Sequence, residues 1–221
     1  MTPEEREGSI RKYRSHAAGY DRSARRTMAL RRRVIELLQL RPGEVVLDVG
    51  AGTGLSYEWL LQGVLPGGRV LAFEQSPEMF ALACRRAEVH GWPASGPGHA
   101  CPGHAGPATP LWHACASAHE VVLPAAPDAL LFNYTHDILR SPQALAHLLR
   151  QARPGARIAV AGMKFFPWWT GPLNLLPWLK NRPYNMRAGD LWAPWDHLQA
   201  HCEAWTQHSV HLGMGYVASG R

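Results

Sequence analysis

Short continuous runs of apolar residues alternate with amphipathic stretches along most of this chain. Val45, Val46, Leu47 and Val49 form a β-branched run of the kind found in strands covered on both faces. Similar runs recur as RVLAFE, PLWHACA, DALLFNY and ARIAVAGMK. Helical patterns lie between them. Leu30, Val34, Leu37 and Leu38 recur at helical spacing from about Asp21 to Leu40, with arginines assigned to the opposite face, and Arg41-Pro42-Gly43 closes that segment. Ser76-Pro77-Glu78 predicts a capped helix to about His90 that turns Met79, Phe80, Leu82 and Ala83 inward and stops at Gly91. Ser141 and Pro142 open another, to Ala152.

This order, without Asn-Gly hairpin signals, predicts an α/β fold: a doubly wound, mostly parallel sheet with helices on both faces. WTQHSVHL and GYVASG, joined tightly around Gly213, predict an antiparallel C-terminal hairpin.

The 221 residues suit a single domain spanning 1–221, and no apolar run reaches the ~20 residues of a membrane-spanning helix. The first residues are charged and lack the apolar centre of a signal peptide. Cys84, Cys101, Cys115 and Cys202 form no C-x-x-C pair, so a reduced, cytoplasmic protein is expected. The formal charge is +6, and nine of the basic residues crowd the segment 1–40, from Arg11 to Arg33. That face is either merely solvated or drawn to an anionic substrate or membrane surface. Residues 91–110, rich in glycine and proline, predict a long mobile insertion. His99, Cys101 and His104 within it match no standard zinc spacing, so no metal site is expected.

Candidate chemistry concentrates in EVVLDVGAGTGLS. Gly50, Gly52 and Gly54 allow the chain to turn tightly after the first strand and a ligand to approach, and a helix from about Leu55 aims its free N–H groups at an anionic group. The spacing is G-x-G-x-G, with Leu55 where the dinucleotide fingerprint requires its third glycine. Asp48, at the strand end, disfavours a pyrophosphate and suits an amino group. Glu74, twenty residues past Gly54, closes the second strand where a carboxylate accepts from both hydroxyls of a ribose. A ligand with an α-amino acid end and a ribose fits these features.

VLDVGAGTG followed by VLAFEQS resembles motifs I and II of the class I S-adenosylmethionine-dependent methyltransferases, and the resemblance extends from about Tyr20 to Gly220. It implies a Rossmann-like seven-stranded sheet of order 3-2-1-4-5-7-6 and S-adenosyl-L-methionine as cofactor. It places Tyr20, Asp48, Gly50, Gly52, Gly54, Glu74, Gln75, Met79, Ser117, Ala118 and Asn133 around that cofactor. The family usually carries an acid where Ser117 stands. YDRSARRTMALRRRVIELL ahead of motif I is most similar to small bacterial enzymes of quinone biosynthesis and phospholipid headgroup N-methylation.

The loop NYTHD follows the fourth principal strand, so His136 and Asp137 are the candidate bases for an acceptor that must lose a proton. Asp137 can equally cap the helix that follows. Eight aromatic residues lie in the segment 165–195: Phe165, Phe166, Trp168, Trp169, Trp178, Tyr184, Trp192 and Trp195. They are expected to cover the transferable methyl and contact a hydrophobic part of the acceptor; a membrane interface and an ordinary hydrophobic cluster are the alternatives. The expected acceptor is a small-molecule or lipid-like substrate, with peripheral contact to an anionic membrane. A phospholipid N-methyltransferase and a non-catalytic cofactor-binding partner subunit are the competing readings. Nucleic acid is disfavoured, because NYTHD lacks the Pro-Pro-aromatic motif of base aminomethylation and no Pro-Cys nucleophile occurs.

Overall fold

The computed structural model describes residues 21, 24, 27–97, 109–181 and 191–221. Each predicted apolar run becomes a strand: β1 (Val45–Val49), β2 (Arg69–Glu74), β4 (Leu111–Cys115), β5 (Ala129–Asn133) and β6 (Arg157–Met163). The C-terminal pair is β7 (Trp205–Val210) and β8 (Gly215–Gly220). Sequence analysis missed β3 (Ala94–Ser95), which adds to the edge of β4 in parallel. It lies wholly inside the stretch 91–110 expected to be a mobile insertion. Residues 98–108, with His99, Cys101 and His104, lie outside the described residues.

The strands make one sheet of order β3-β4-β2-β1-β5-β6-β8-β7. The five pairings from β3 to β6 are parallel, and β8 runs antiparallel to both β6 and β7. The order is the expected seven-strand one with a short eighth strand on its edge.

Alternate residues of each strand feed two separate cores, as a period of two requires. Val46, Val70, Ala72, Leu131 and Val217 pack with helices α1 (Met28–Leu37) and α2 (Tyr57–Val64). Ala83 and Ala87 of α3 (Pro77–Val89) join the same layer. Leu47, Val49, Phe73, Leu130, Phe132 and Val160 pack on the opposite side. There they meet α4 (His136–Leu139), α5 (Pro142–Gln151) and α7 (Asp196–Gln199). Coverage on both faces explains why the strand sequences read as apolar runs rather than alternating ones. Between β6 and α7, a 3₁₀ segment Trp168–Asn174 leads into α6 (Leu175–Asn181).

Two helix starts form as the sequence predicts. The Ser76 hydroxyl accepts from the Met79 N–H and the Ser141 hydroxyl from the Ala144 N–H, each followed by proline at the first helical position. Two side chains depart from expectation. Leu82 is exposed, since three residues of its turn already fill the core side. Arg31, assigned to a solvated face, is buried, and its guanidinium donates to the Ser56 hydroxyl at 3.1 Å.

The Ser141 hydroxyl also meets Nε2 of His119 at 2.9 Å, tying the cap of α5 to the loop after β4. Ser141→Ala should therefore cost about 0.5–2 kcal/mol, the range for a lost N-cap. A lower urea midpoint with an unchanged m-value checks this.

Candidate functional site

At the carboxyl ends of β1, β2 and β5 lies a cleft. Gly50, Gly52, Glu74, Gln75, Met79, Ala118, Asn133 and Asp137 line it, with Phe73, Tyr134, Thr135 and Ile138. An open α/β sheet binds its ligands at this end, because strand carboxyl ends and helix amino ends converge there.

The glycine loop makes the floor. β1 ends at Gly50, whose φ is +61°, and a Cβ there would lie 2.9 Å from the Thr135 methyl and 3.3 Å from Ile138. Glycine is required at this point because the loop after β5 closes directly over it. Turns occupy residues 52–56, and α2 begins two residues later than the sequence suggests. Gly54 sits away from the cleft, beneath the Tyr57 ring.

Glu74 binds the two sides of the floor together. One carboxylate oxygen accepts from the Gly52 N–H at 3.0 Å and the other from the Ser76 N–H at 2.8 Å. Burial raises its pKa from 4.5 to about 7, against the lowering pull of those backbone donors. Across the cleft, the Gln75 amide donates to Asp137 at 3.2 Å. Burial also raises the Asp137 pKa, opposed by backbone donors and Arg140. Asn133 is buried, yet neither atom of its side-chain amide has a hydrogen-bond partner among the described residues. An orphaned amide facing a cleft is what a bound polar ligand would satisfy.

Asp48 lies behind the loop rather than in the cleft. It is fully buried, and desolvation lifts its pKa to about 7, with the Arg31 charge opposing. A brace reaches the loop from outside: Thr53 donates to Asp21 at 2.7 Å, while Arg86 pairs with Asp21 and donates to the Thr53 carbonyl at 2.8 Å. Tyr20, next to this brace in sequence, lies outside the described residues.

Three expectations change. His136 does not line the cleft. Its Nε2 accepts from the Met163 N–H at 3.2 Å, and its ring packs where a Cβ on Gly162 would stand. Burial, with Arg140 nearby, lowers its pKa to about 4. An imidazole whose free lone pair is occupied by a backbone donor is a poor base, so His136 is a structural residue. Ser117 turns its hydroxyl to the His119 N–H, and Ala118 alone of that pair faces the cleft. None of the described residues from Phe165 to Trp195 is among those lining the cleft. Trp168 and Trp169 are exposed, Trp192 stacks edge-on against Phe165, and Trp195 packs on Tyr216. Among the described residues the expected aromatic cover over the methyl is therefore not formed; Tyr184 lies outside them. Sequence reasoning set the loop holding Tyr134 and Thr135 at the ligand end without giving either a role, and it missed Phe73 and Ile138. Their signal was position alone, near the carboxyl end of β2 and just past the loop after β5.

This geometry fits S-adenosylmethionine. Glu74 is placed for the ribose hydroxyls, the backbone of Gly50 and Gly52 permits close approach, Met79 and Ala118 offer an apolar wall, and Asn133 offers unmet hydrogen-bonding capacity.

Comparisons with known proteins agree. The profile of the protein-L-isoaspartate(D-aspartate) O-methyltransferase family matches residues 14–95. The protein-L-isoaspartate O-methyltransferase of Aeropyrum pernix is 47% identical over 60 residues, 27% of this chain and 23% of that enzyme. The chain spans less than a quarter of the length of the curated relatives it matches. A SAM-dependent methyltransferase from Aquifex aeolicus superposes with a TM-score of 0.64 at 19% identity, covering 93% of this chain and 96% of that one. An O-methyltransferase family protein from Burkholderia thailandensis gives 0.67 at 14%, covering 95% and 59%. The chain has the class I S-adenosylmethionine-dependent methyltransferase fold.

Glu74→Ala should weaken S-adenosylmethionine binding by about 1.5–3 kcal/mol, the range for hydrogen bonds to a charged group, as read by calorimetry. A pH dependence follows as well. The folded carboxyl of Glu74 keeps its proton up to about 7, whereas the unfolded one releases it near 4.5. The folded state thus holds more protons in that window, and the ligand-free protein should lose stability as pH rises through it. Thermal unfolding of Glu74→Gln should show a flatter profile, with the raised carboxyls of Asp48 and Asp137 still contributing.

Proposed function

We propose that this protein transfers the methyl group of S-adenosylmethionine to a small or amphipathic acceptor with a sizeable hydrophobic part. One observation carries the reading: a single cleft joins a ribose-type acid, Glu74, to the unpartnered amide of Asn133 across a glycine loop. When bound, S-adenosylmethionine supplies a carbon already activated by positive sulfur. The chain's own residues then have two tasks, to hold the acceptor atom in line and to take its proton if it carries one. Asn133 can donate and accept, and so orient a polar group. Asp137 is the carboxylate available for the proton. Its pKa is shifted upward, toward that of a useful base, and Gln75 holds its orientation.

The acceptor class is argued from where the family match ends. The relative in Aeropyrum pernix is an isoaspartate O-methyltransferase, but the profile stops at residue 95, before β4, β5 and β6. The loop after β5 and the segment after β6 fall outside it, so isoaspartyl recognition is not carried over to them. The apolar segment after β6 lies outside the cleft lining and is exposed, and it supports a lipid-like acceptor as a surface near the cleft rather than as its wall. Headgroup N-methylation of a phospholipid is the second reading, favoured by that same segment.

Release of S-adenosylhomocysteine should be measured with isoaspartyl peptides, long-chain amines and phenols, and aminophospholipid vesicles. Turnover with an amphipathic acceptor is expected. Turnover with isoaspartyl peptides alone would overturn the acceptor class. Tight cofactor binding with no turnover on any acceptor would favour a non-catalytic partner subunit. With a productive acceptor, Asp137→Asn should lower kcat by about 10²–10⁴-fold, the range for removing a general base. His136→Gln should instead lower thermal stability and leave the pH profile of kcat in place.

A further inference from the structure

The segment that leaves β6 is built unlike the rest of the surface. From Phe165 to Leu179 it contains no charged residue. Its base is fixed. The Phe165 N–H donates to the Leu191 carbonyl, the Lys164 N–H donates to the Met214 carbonyl, and Phe165 is buried against Trp192. Its outer part is bare. Trp168 and Trp169 are 80% and 72% exposed, and Leu173, Leu175, Leu176 and Leu179 are each about half exposed. A second loop extends the patch: Leu212, in the β7–β8 turn, is 96% exposed, and the neighbouring Gly213 lies against the Phe166 ring. Contiguous apolar surface of this kind on a soluble domain marks an interaction site.

We propose that this face docks peripherally on an anionic lipid bilayer, with Trp168, Trp169 and Leu212 entering the interfacial layer. Three observations select a bilayer. Two adjacent tryptophans at the tip, backed by leucines, match the preference of indole for the headgroup boundary. The uncharged stretch is bracketed in sequence by Lys164 and Lys180, with Arg182 and Arg187 beyond, in a chain of net charge +6. Lysines at both sequence ends of the uncharged stretch, in a chain of net positive charge, favour anionic headgroups over a second copy of the same charge. Among the described residues no helix is long and apolar enough to cross a membrane, so the contact is superficial. The placement has a functional sense. The Tyr134 N–H donates to the Ala161 carbonyl, so β6 runs beside the cleft's inner loop and the docking segment begins four residues after Ala161. Docking there brings the cleft to the lipid surface. The inference concerns binding alone, and its test is independent of whether the proposed acceptor class is right.

The purified full chain should cosediment with vesicles of phosphatidylcholine and phosphatidylglycerol at low salt, and less with phosphatidylcholine alone. Its tryptophan emission should shift to the blue on binding. Trp168→Ser combined with Trp169→Ser should lower the partition coefficient by at least about tenfold, since burying one large apolar side chain is already worth such a factor. Both sites are exposed, so the urea midpoint and S-adenosylmethionine affinity should stay unchanged. No binding to either vesicle at low salt would overturn the proposal, as would a double variant that binds like the parent. A parent chain that dimerises while ignoring vesicles, and a variant that stays monomeric, would assign the face to a second copy and overturn it as well.

Discussion

The two hydrogen bonds that Glu74 accepts, from Gly52 and from Ser76, hold the ligand end of this protein in shape. Strands β1 and β2 are buried on both faces, so their backbones can be redirected only beyond their ends. A single carboxylate satisfies the amide of the loop after β1 and the amide that starts α3. It does so at a cost, because burial holds its pKa near 7 in the absence of a ligand. The group that organises the loop is thus also the one whose charge a cationic or hydroxyl-rich ligand would stabilise. Organisation of the cleft and the proposed recognition of the cofactor rest on the same atoms.

Behind the loop, a second layer of charge repeats the pattern. Asp48 and Arg31 are both buried, and each keeps one side-chain atom unpartnered among the described residues. Further out, Asp21, Thr53 and Arg86 form a brace that joins the N-terminal basic segment to the glycine loop and to α3. Part of the basic run near the N-terminus therefore works inside the fold, and its net charge overstates the solvated share.

The sheet was legible because strands buried on both sides leave unbroken apolar runs, and because Ser76-Pro77 and Ser141-Pro142 announce helix starts by local chemistry. The cofactor half of the cleft was legible for a related reason: Gly50, Gly52 and Glu74 are constrained by backbone geometry, which sequence spacing reports. The acceptor half was not. His136 and Asp137 are neighbours in an identical local context, and which one faces the cleft depends on the register of β6, where the Met163 amide claims the imidazole. Ser117 was misread because its hydroxyl had a nearer partner in its own turn. The edge strand Ala94–Ser95 is too short to have a period. The aromatic segment failed as a cover for the methyl, since density of tryptophan says that a surface is apolar and nothing about which way it points.

The contact between Gly50 and Thr135 has a consequence for anyone who would redesign this protein. The methyl of Thr135 rests on the first glycine of the cofactor loop, so the wall that an acceptor meets is also the lid of the floor beneath the cofactor. A library that varies position 135 to broaden acceptor range will shift cofactor affinity with every change of side-chain volume. Selectivity can be tuned more independently at Tyr134, since Ile138 also lies against Gly50, and retention of cofactor binding should be the first screen applied to any position-135 variant.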